Sequence, residues 1–182
     1  MCAIAVGGSL AAPWIGAQYL DWQPALAWSE PWRWWTAPFV HWSGLHLAAN
    51  IVGAALVSML GTVAGCGWRA TLAWALAWPL TQLGLLSVPA LVHFGGLSGV
   101  LHAAVAVVGV QLVWVELAVR RGIGAALLVG LVIKVMLETP WHGPLNLVSG
   151  WDIPIVPLAH ATGVVAGLFC AVLMTRKSAV PA

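Results

Sequence analysis

Six apolar runs, at about 2–20, 45–64, 69–89, 97–118, 122–138 and 155–175, follow one another along the 182 residues with only short segments between most of them. About 20 apolar residues match the hydrocarbon thickness of a bilayer. In that layer an open strand would leave its N–H and C=O groups without partners, so each run is expected to be a helix. The reading is an all-α membrane protein with six transmembrane helices. Charged residues make up 7% of the chain, against roughly a quarter in soluble domains. Too little polar sequence remains for a separate soluble domain, and residues 1–182 are read as one membrane-embedded unit. The opening MCAIAVGGSLAAP has the apolar core of a signal peptide. It lacks a charged leader, and its apolar character runs on to Leu20, so it is taken as the first span.

The few charges orient the chain. Arg69, the pair Arg120 and Arg121, and the pair Arg176 and Lys177 follow the second, fourth and sixth runs, on the side that also holds both termini. The other side carries Asp21, Glu30, Arg33, Glu138 and Asp152. Basic loops stay in the cytoplasm, so both termini are expected there. Net charge is only +2 and scattered, which argues against a nucleic-acid partner. Cys2, Cys66 and Cys170 lie far apart in apolar sequence and read as small core residues. No cluster has metal-ligand spacing, and neither a metal nor another cofactor is expected. Residues 21–44 hold Trp22, Trp28, Trp32, Trp34, Trp35 and Trp42. Tryptophan favours the lipid–water boundary, so this first loop is expected to be a structured element lying in the outer interface.

Depth along the helices brings the reactive residues into one layer. The second, fourth and sixth spans all enter from outside. Near their outer ends stand His46 and Asn50, then Gly96-Leu97-Ser98-Gly99, then His160. Polar side chains within a membrane face the bundle interior or a wet cavity. A serine becomes a useful nucleophile when an imidazole takes its proton, which assigns Ser98 as nucleophile and His160 as general base. The bland alternative for Ser98 is a helix cap, and for His160 a packing histidine. Ser98 also opens a helix, where free N–H groups favour negative charge. His46 and Asn50, at i and i+4, share a face and read as side-chain donors to the oxyanion or as interhelical hydrogen-bonding groups. Gly163 and Gly167 on the last span, facing Gly99 and Ala103, offer the small surfaces that let membrane helices touch.

These motifs, in this order, resemble the rhomboid intramembrane proteases. Trp32-Arg33 stands in the first loop; His41, His46 and Asn50 run into the second span; Gly96-Leu97-Ser98-Gly99 matches the family's nucleophile motif; Ala159-His160, Gly163 and Gly167 match its last helix. The resemblance implies a six-helix rhomboid fold and a Ser98–His160 dyad. It implies an oxyanion site of His46, Asn50 and backbone N–H groups at Ser98 and Leu97, with a structural role for Trp32, Arg33 and His41. The implied substrate is the transmembrane helix of a single-pass protein in the lipid bilayer. The implied location is a bacterial inner membrane with the site open to the periplasm.

One position departs from the family pattern. Rhomboids commonly carry a tyrosine one turn after the serine, stacking on the histidine; here it is His102. Gly-Leu-Ser-Gly-Val-Leu-His and the short chain resemble the rhombosortases, bacterial rhomboids paired with secreted proteins that end in a GlyGly-type C-terminal anchor. His102 is expected to stack on or hydrogen-bond His160, alongside the small residues Gly96, Gly99, Gly163 and Gly167 around the dyad. The alternatives are a general rhomboid protease and a non-enzymatic rhomboid-like protein that binds transmembrane helices. Lys134 and Glu138, at i and i+4, read as a snorkelling pair at the outer boundary or as a contact to substrate. Asp152 lies eight residues before His160, too far along the axis to orient it, so a dyad is preferred to a triad. His93 and His142 read as solvated loop residues.

Overall fold

Each of the six apolar runs coincides largely with one helix in the computed structural model of the protein, which describes residues 1–114 and 117–175. Arg176 and Lys177, used above in reading the charges, lie outside the described residues. The described helices are α1 (Cys2–Ile15), α2 (Ala17–Leu20), α3 (Arg33–Thr36), α4 (Gly44–Val63), α5 (Trp68–Leu85), α6 (Ser98–Val113), α7 (Ala118–Leu137) and α8 (Pro157–Thr175). The first run does not continue to Leu20 as one helix. Gly16 takes φ 102°, a conformation open to glycine and costly for other residues, and α1 ends there. Local chemistry sets other boundaries. The Ser43 hydroxyl accepts the His46 N–H at 3.0 Å and caps α4. Pro157 opens α8, where its missing N–H costs no hydrogen bond.

On α4, His46, Asn50, Ala54 and Val57 form the buried face, while Leu45, Val52, Leu56, Met59 and Val63 are exposed on the others. A long helix apolar outside as well as inside suits lipid rather than water. Both α4 and α8 are long and apolar enough to cross a bilayer; α1 and α6 are apolar but shorter. Most of α6 is buried, so its neighbours screen it from the surroundings.

Close backbone approach sets the helix arrangement. A Cβ on Gly163 would overlap the Gly99 carbonyl, and one on Gly167 would overlap the Ala103 backbone, so α6 and α8 run parallel in direct contact. Gly53 faces Leu101 and Gly61 faces Val108, which makes α4 parallel to α6 as well. Gly124 of α7 meets Gly109 of α6 while Lys134 meets His102, so α7 is antiparallel. The N-terminal ends of α4, α6 and α8 and the C-terminal end of α7 thus meet at one end of the bundle. Trp74 of α5 donates its indole N–H to the Val100 carbonyl at 2.6 Å inside the core.

The first loop folds over that same end. Trp22 pairs with Phe94 in an isolated antiparallel bridge, N–H to carbonyl in both directions, and the Gly96 N–H donates to the Ala37 carbonyl at 3.1 Å. The loop therefore holds the segment leading into Ser98. Its tryptophans divide: Trp22 and Trp34 are buried edge to face at 4.6 Å, while Trp28, Trp32, Trp35 and Trp42 are exposed. At its centre Arg33, 3% exposed, donates to the carboxylate and carbonyl of Asp21, the Gln18 carbonyl and Glu30. Asp21, fully buried, also takes His93 Nδ1 at 2.6 Å, so His93 is half-exposed but paired rather than simply solvated. Removing one partner of such a buried pair leaves an uncompensated charge, at a cost of about 3–5 kcal/mol. Arg33→Met is expected to lower the thermal midpoint in detergent sharply and to open the first loop to limited proteolysis. A midpoint equal to wild type would show that Asp21 and Arg33 do not hold the loop.

Candidate active site

Ser98 is the first residue of α6 and His160 lies in the first turn of α8. The glycine contact between these helices places the two side chains together, with Ser98 Oγ 2.9 Å from His160 Nε2. His160 is 6% exposed. Leu97, fully buried, caps α6. The first N–H groups of a helix have no intrahelical acceptor, so the Leu97–Ser98 backbone presents donors beside the Ser98 hydroxyl.

From α4, His46 and Asn50 converge on Gly96, two residues before Ser98. A Cβ at Gly96 would meet the His46 ring at 2.7 Å and Asn50 Nδ2 at 3.9 Å. Gly96 has φ 136°, so the position demands glycine for both space and conformation. Asn50 Nδ2 and His46 Nδ1 are buried without a hydrogen-bond partner. Buried polar atoms are nearly always satisfied, and Asn50 Nδ2 is a donor left free beside Gly96. His41 packs its ring against His46 at 4.8 Å, with its Nδ1 at 3.0 Å from the Phe39 carbonyl. Burial pushes the His41 imidazole below its ordinary pKa, partly offset by that carbonyl. Trp32 and Arg33 stay within the first loop, Trp32 donating its indole N–H to the Tyr19 carbonyl, and neither reaches the dyad.

His102 stacks on His160, ring centroids 4.2 Å apart and planes 14° from parallel. Its Nδ1 lies 2.6 Å from the Ser98 carbonyl. The sequence reading of Lys134 and Glu138 needs correction. They do form the i, i+4 pair, at 2.8 Å, but as part of the site rather than as a separate boundary pair. Glu138 Oε2 lies 2.6 Å from His160 Nδ1, and Lys134 Nζ lies 2.6 Å from His102 Nε2 and 3.2 Å from His160 Nδ1. The reason is the antiparallel course of α7, whose C-terminal end returns to the layer where α6 and α8 begin. Asp152 instead accepts the Ser43 hydroxyl at 2.8 Å, tying the loop before α8 to the cap of α4.

A serine against an imidazole nitrogen, the side chains of His46 and Asn50 against Gly96 two residues before it, and the first N–H groups of α6 form an arrangement suited to acyl transfer. Comparison with known families points the same way. The family model described as the Rhomboid domain matches residues 29–177, most of the chain, and the chain belongs to the rhomboid family. Rhomboids are membrane-embedded, and the proteases among them act on transmembrane substrates within the bilayer; other members are inactive. No curated protein matches the chain.

Proposed function

We propose that the protein is an active intramembrane serine endopeptidase with Ser98 as nucleophile and His160 as general base. The 2.9 Å approach of Ser98 Oγ to His160 Nε2 carries this reading, because pseudoproteases have no need of an imidazole held on a serine at the mouth of two helices. Ser98 attacks the scissile carbonyl as His160 takes its proton. The resulting oxyanion is held by His46, Asn50 and the N–H groups of Ser98 and Leu97. His160 then returns the proton to the leaving amine, and water or an amine acceptor releases the acyl-enzyme.

The substrate is a single-pass membrane anchor with small, helix-breaking residues near its outer end. A regular helix hides its carbonyls in internal hydrogen bonds, and such residues let a segment unwind into the site. We assign the anchor to the GlyGly C-terminal type, the rhombosortase reading, on the strength of His102 one turn after Ser98 and its stacking on His160. The chain is read as six transmembrane helices in a bacterial inner membrane, both termini cytoplasmic and the site open to the periplasm. Six helices, with Arg69, Arg120 and Arg121 at the end of the bundle away from Ser98, support this reading.

Co-expression of wild type or Ser98→Ala with a reporter ending in a GlyGly-type anchor tests the assignment, with release followed by gel mobility and membrane fractionation. Serine-dependent cleavage near the outer end of the anchor is the expected result, with generic rhomboid substrates left intact. Cleavage of generic substrates alone would make this a general rhomboid protease. Cleavage of neither, by correctly inserted protein, would make it a helix-binding pseudoprotease.

A further inference from the structure

We infer that Glu138 completes a Ser98–His160–Glu138 triad, clamped by Lys134, in place of a bare dyad. The inference rests on Ser98 being the nucleophile, and it starts from what each atom can donate or accept. A carboxylate oxygen only accepts, so the 2.6 Å contact with Glu138 Oε2, much shorter than the 3.2 Å approach of Lys134 Nζ to the same nitrogen, places the His160 proton on Nδ1. That leaves the Nε2 lone pair facing Ser98 Oγ, the tautomer a general base needs. When the Ser98 proton moves to Nε2, the imidazolium that forms has a carboxylate already against its other nitrogen. Glu138 is thus a positioning residue that acts through His160.

The same reasoning fixes the rest of the cluster. A backbone carbonyl only accepts, so His102 donates from Nδ1 to Ser98 O; an ammonium only donates, so His102 Nε2 accepts from Lys134. His102 is therefore neutral, in one tautomer, and flat against His160. Lys134 serves Glu138 Oε1 with another of its hydrogens, while Oε2 of the same carboxylate serves His160. The two oxygens have separate tasks, and the ion pair is net neutral, which lowers the cost of keeping a carboxylate at this depth. The Glu138 backbone is held too. Its carbonyl accepts the Asn146 side-chain N–H at 2.8 Å, and Asn146 pairs through its backbone with Ile155, just before α8. A surface ion pair would need none of these contacts to His160, His102 and the α8 approach.

The test uses the full chain, purified in detergent, with a cleavable transmembrane substrate. In Glu138→Gln, Lys134 competes for the single amide oxygen and the NH2 is left facing His160 Nδ1. The wrong tautomer is then favoured, and kcat is expected to fall by about 10²–10⁴-fold with KM nearly unchanged. Glu138→Asp should recover part of the loss. Formate, a carboxylate small enough for the space left by Glu138→Ala, should raise kcat in that variant and leave Ser98→Ala inactive. A merely structural Glu138 would give no kcat-selective loss and no formate rescue. If Glu138→Gln does not insert, Glu138→Asp and the formate response of Glu138→Ala decide the matter. Ser98→Ala inactive with Glu138→Gln within about 3-fold of wild type would overturn the triad alone; cleavage persisting in Ser98→Ala would overturn the serine-protease reading beneath it.

Discussion

Replacing Ser98 with alanine is expected to abolish cleavage, lowering kcat by roughly 10⁵-fold or more while leaving the fold and substrate binding intact. The physical reason is that Ser98, whose hydroxyl lies 2.9 Å from His160 Nε2, is the only nucleophile at that nitrogen among the described residues. Loss of one member of a unit that works together removes nearly all of its catalysis. His160→Ala should cost a similar amount, because the hydroxyl is a weak nucleophile without the base, and the double variant should be little worse than either single one. Rates with a transmembrane substrate, together with serine labelling by a fluorophosphonate, give the measurement. Labelling that survives in Ser98→Ala would point to another serine and remove the basis for the assignment. Ser98 occupies the first position of α6, where alanine fits as well as serine, so the melting temperature should hardly change.

The second large effect is structural. Gly163 sits one turn below His160, and a methyl group there would overlap the Gly99 carbonyl; a Cβ on Gly99 would in turn lie 2.8 Å from the Ala159 carbonyl oxygen. At Gly163 the atoms met are all backbone of Gly99, and at Gly99 the Thr81 methyl stands 3.0 Å away beside the Ala159 carbonyl. Gly163→Ala is expected to force α6 and α8 apart, costing about 1–3 kcal/mol through overpacking. Activity should fall by about 10²-fold, since misplacing a reacting group by about 1 Å has that effect. Gly163→Val, with more bulk at the same point, should fail to give folded protein. The checks are thermal unfolding in detergent and the cleavage rate of each variant. Wild-type stability and rate in Gly163→Ala would mean that the helices need not touch for Ser98 and His160 to meet.

Much of the architecture was legible because the membrane removes alternatives. A run such as 45–64 has no stable choice in lipid except a helix, and α4 (Gly44–Val63) occupies it almost residue for residue. Boundaries shifted where local backbone chemistry intervened, as at Gly16, where a positive φ ends α1, and at Ala118, where α7 starts ahead of the apolar run and includes Arg120 and Arg121. The tryptophan-rich loop was read from composition as interfacial. Composition does not separate Trp22 and Trp34, which the loop buries, from Trp28 and Trp32, which it leaves exposed. That division follows from the Trp22–Phe94 bridge and the Arg33–Asp21 pair, both between residues distant in sequence.

The candidate site divides along the same physical line. Depth is encoded locally, since each residue of a helix advances about 1.5 Å along the axis, and counting from the helix ends is enough to bring Ser98, His160, His46 and Asn50 to one level. Glu138 obeys the same count, at the outer end of a helix running the opposite way, and a carboxylate in that layer was the available signal. What depth cannot say is which way each helix is turned and which helix stands beside which. Those are settled by the contacts of Gly99 with Gly163 and of Gly109 with Gly124, between residues many positions apart. The sequence by itself determined a helical membrane bundle with a serine and a histidine at one level, because lipid leaves the backbone only one way to satisfy its hydrogen bonds. Only the tertiary structure decided that the Lys134–Glu138 pair turns onto His160 and His102, because lateral neighbours are chosen by packing between helices rather than by any helix alone.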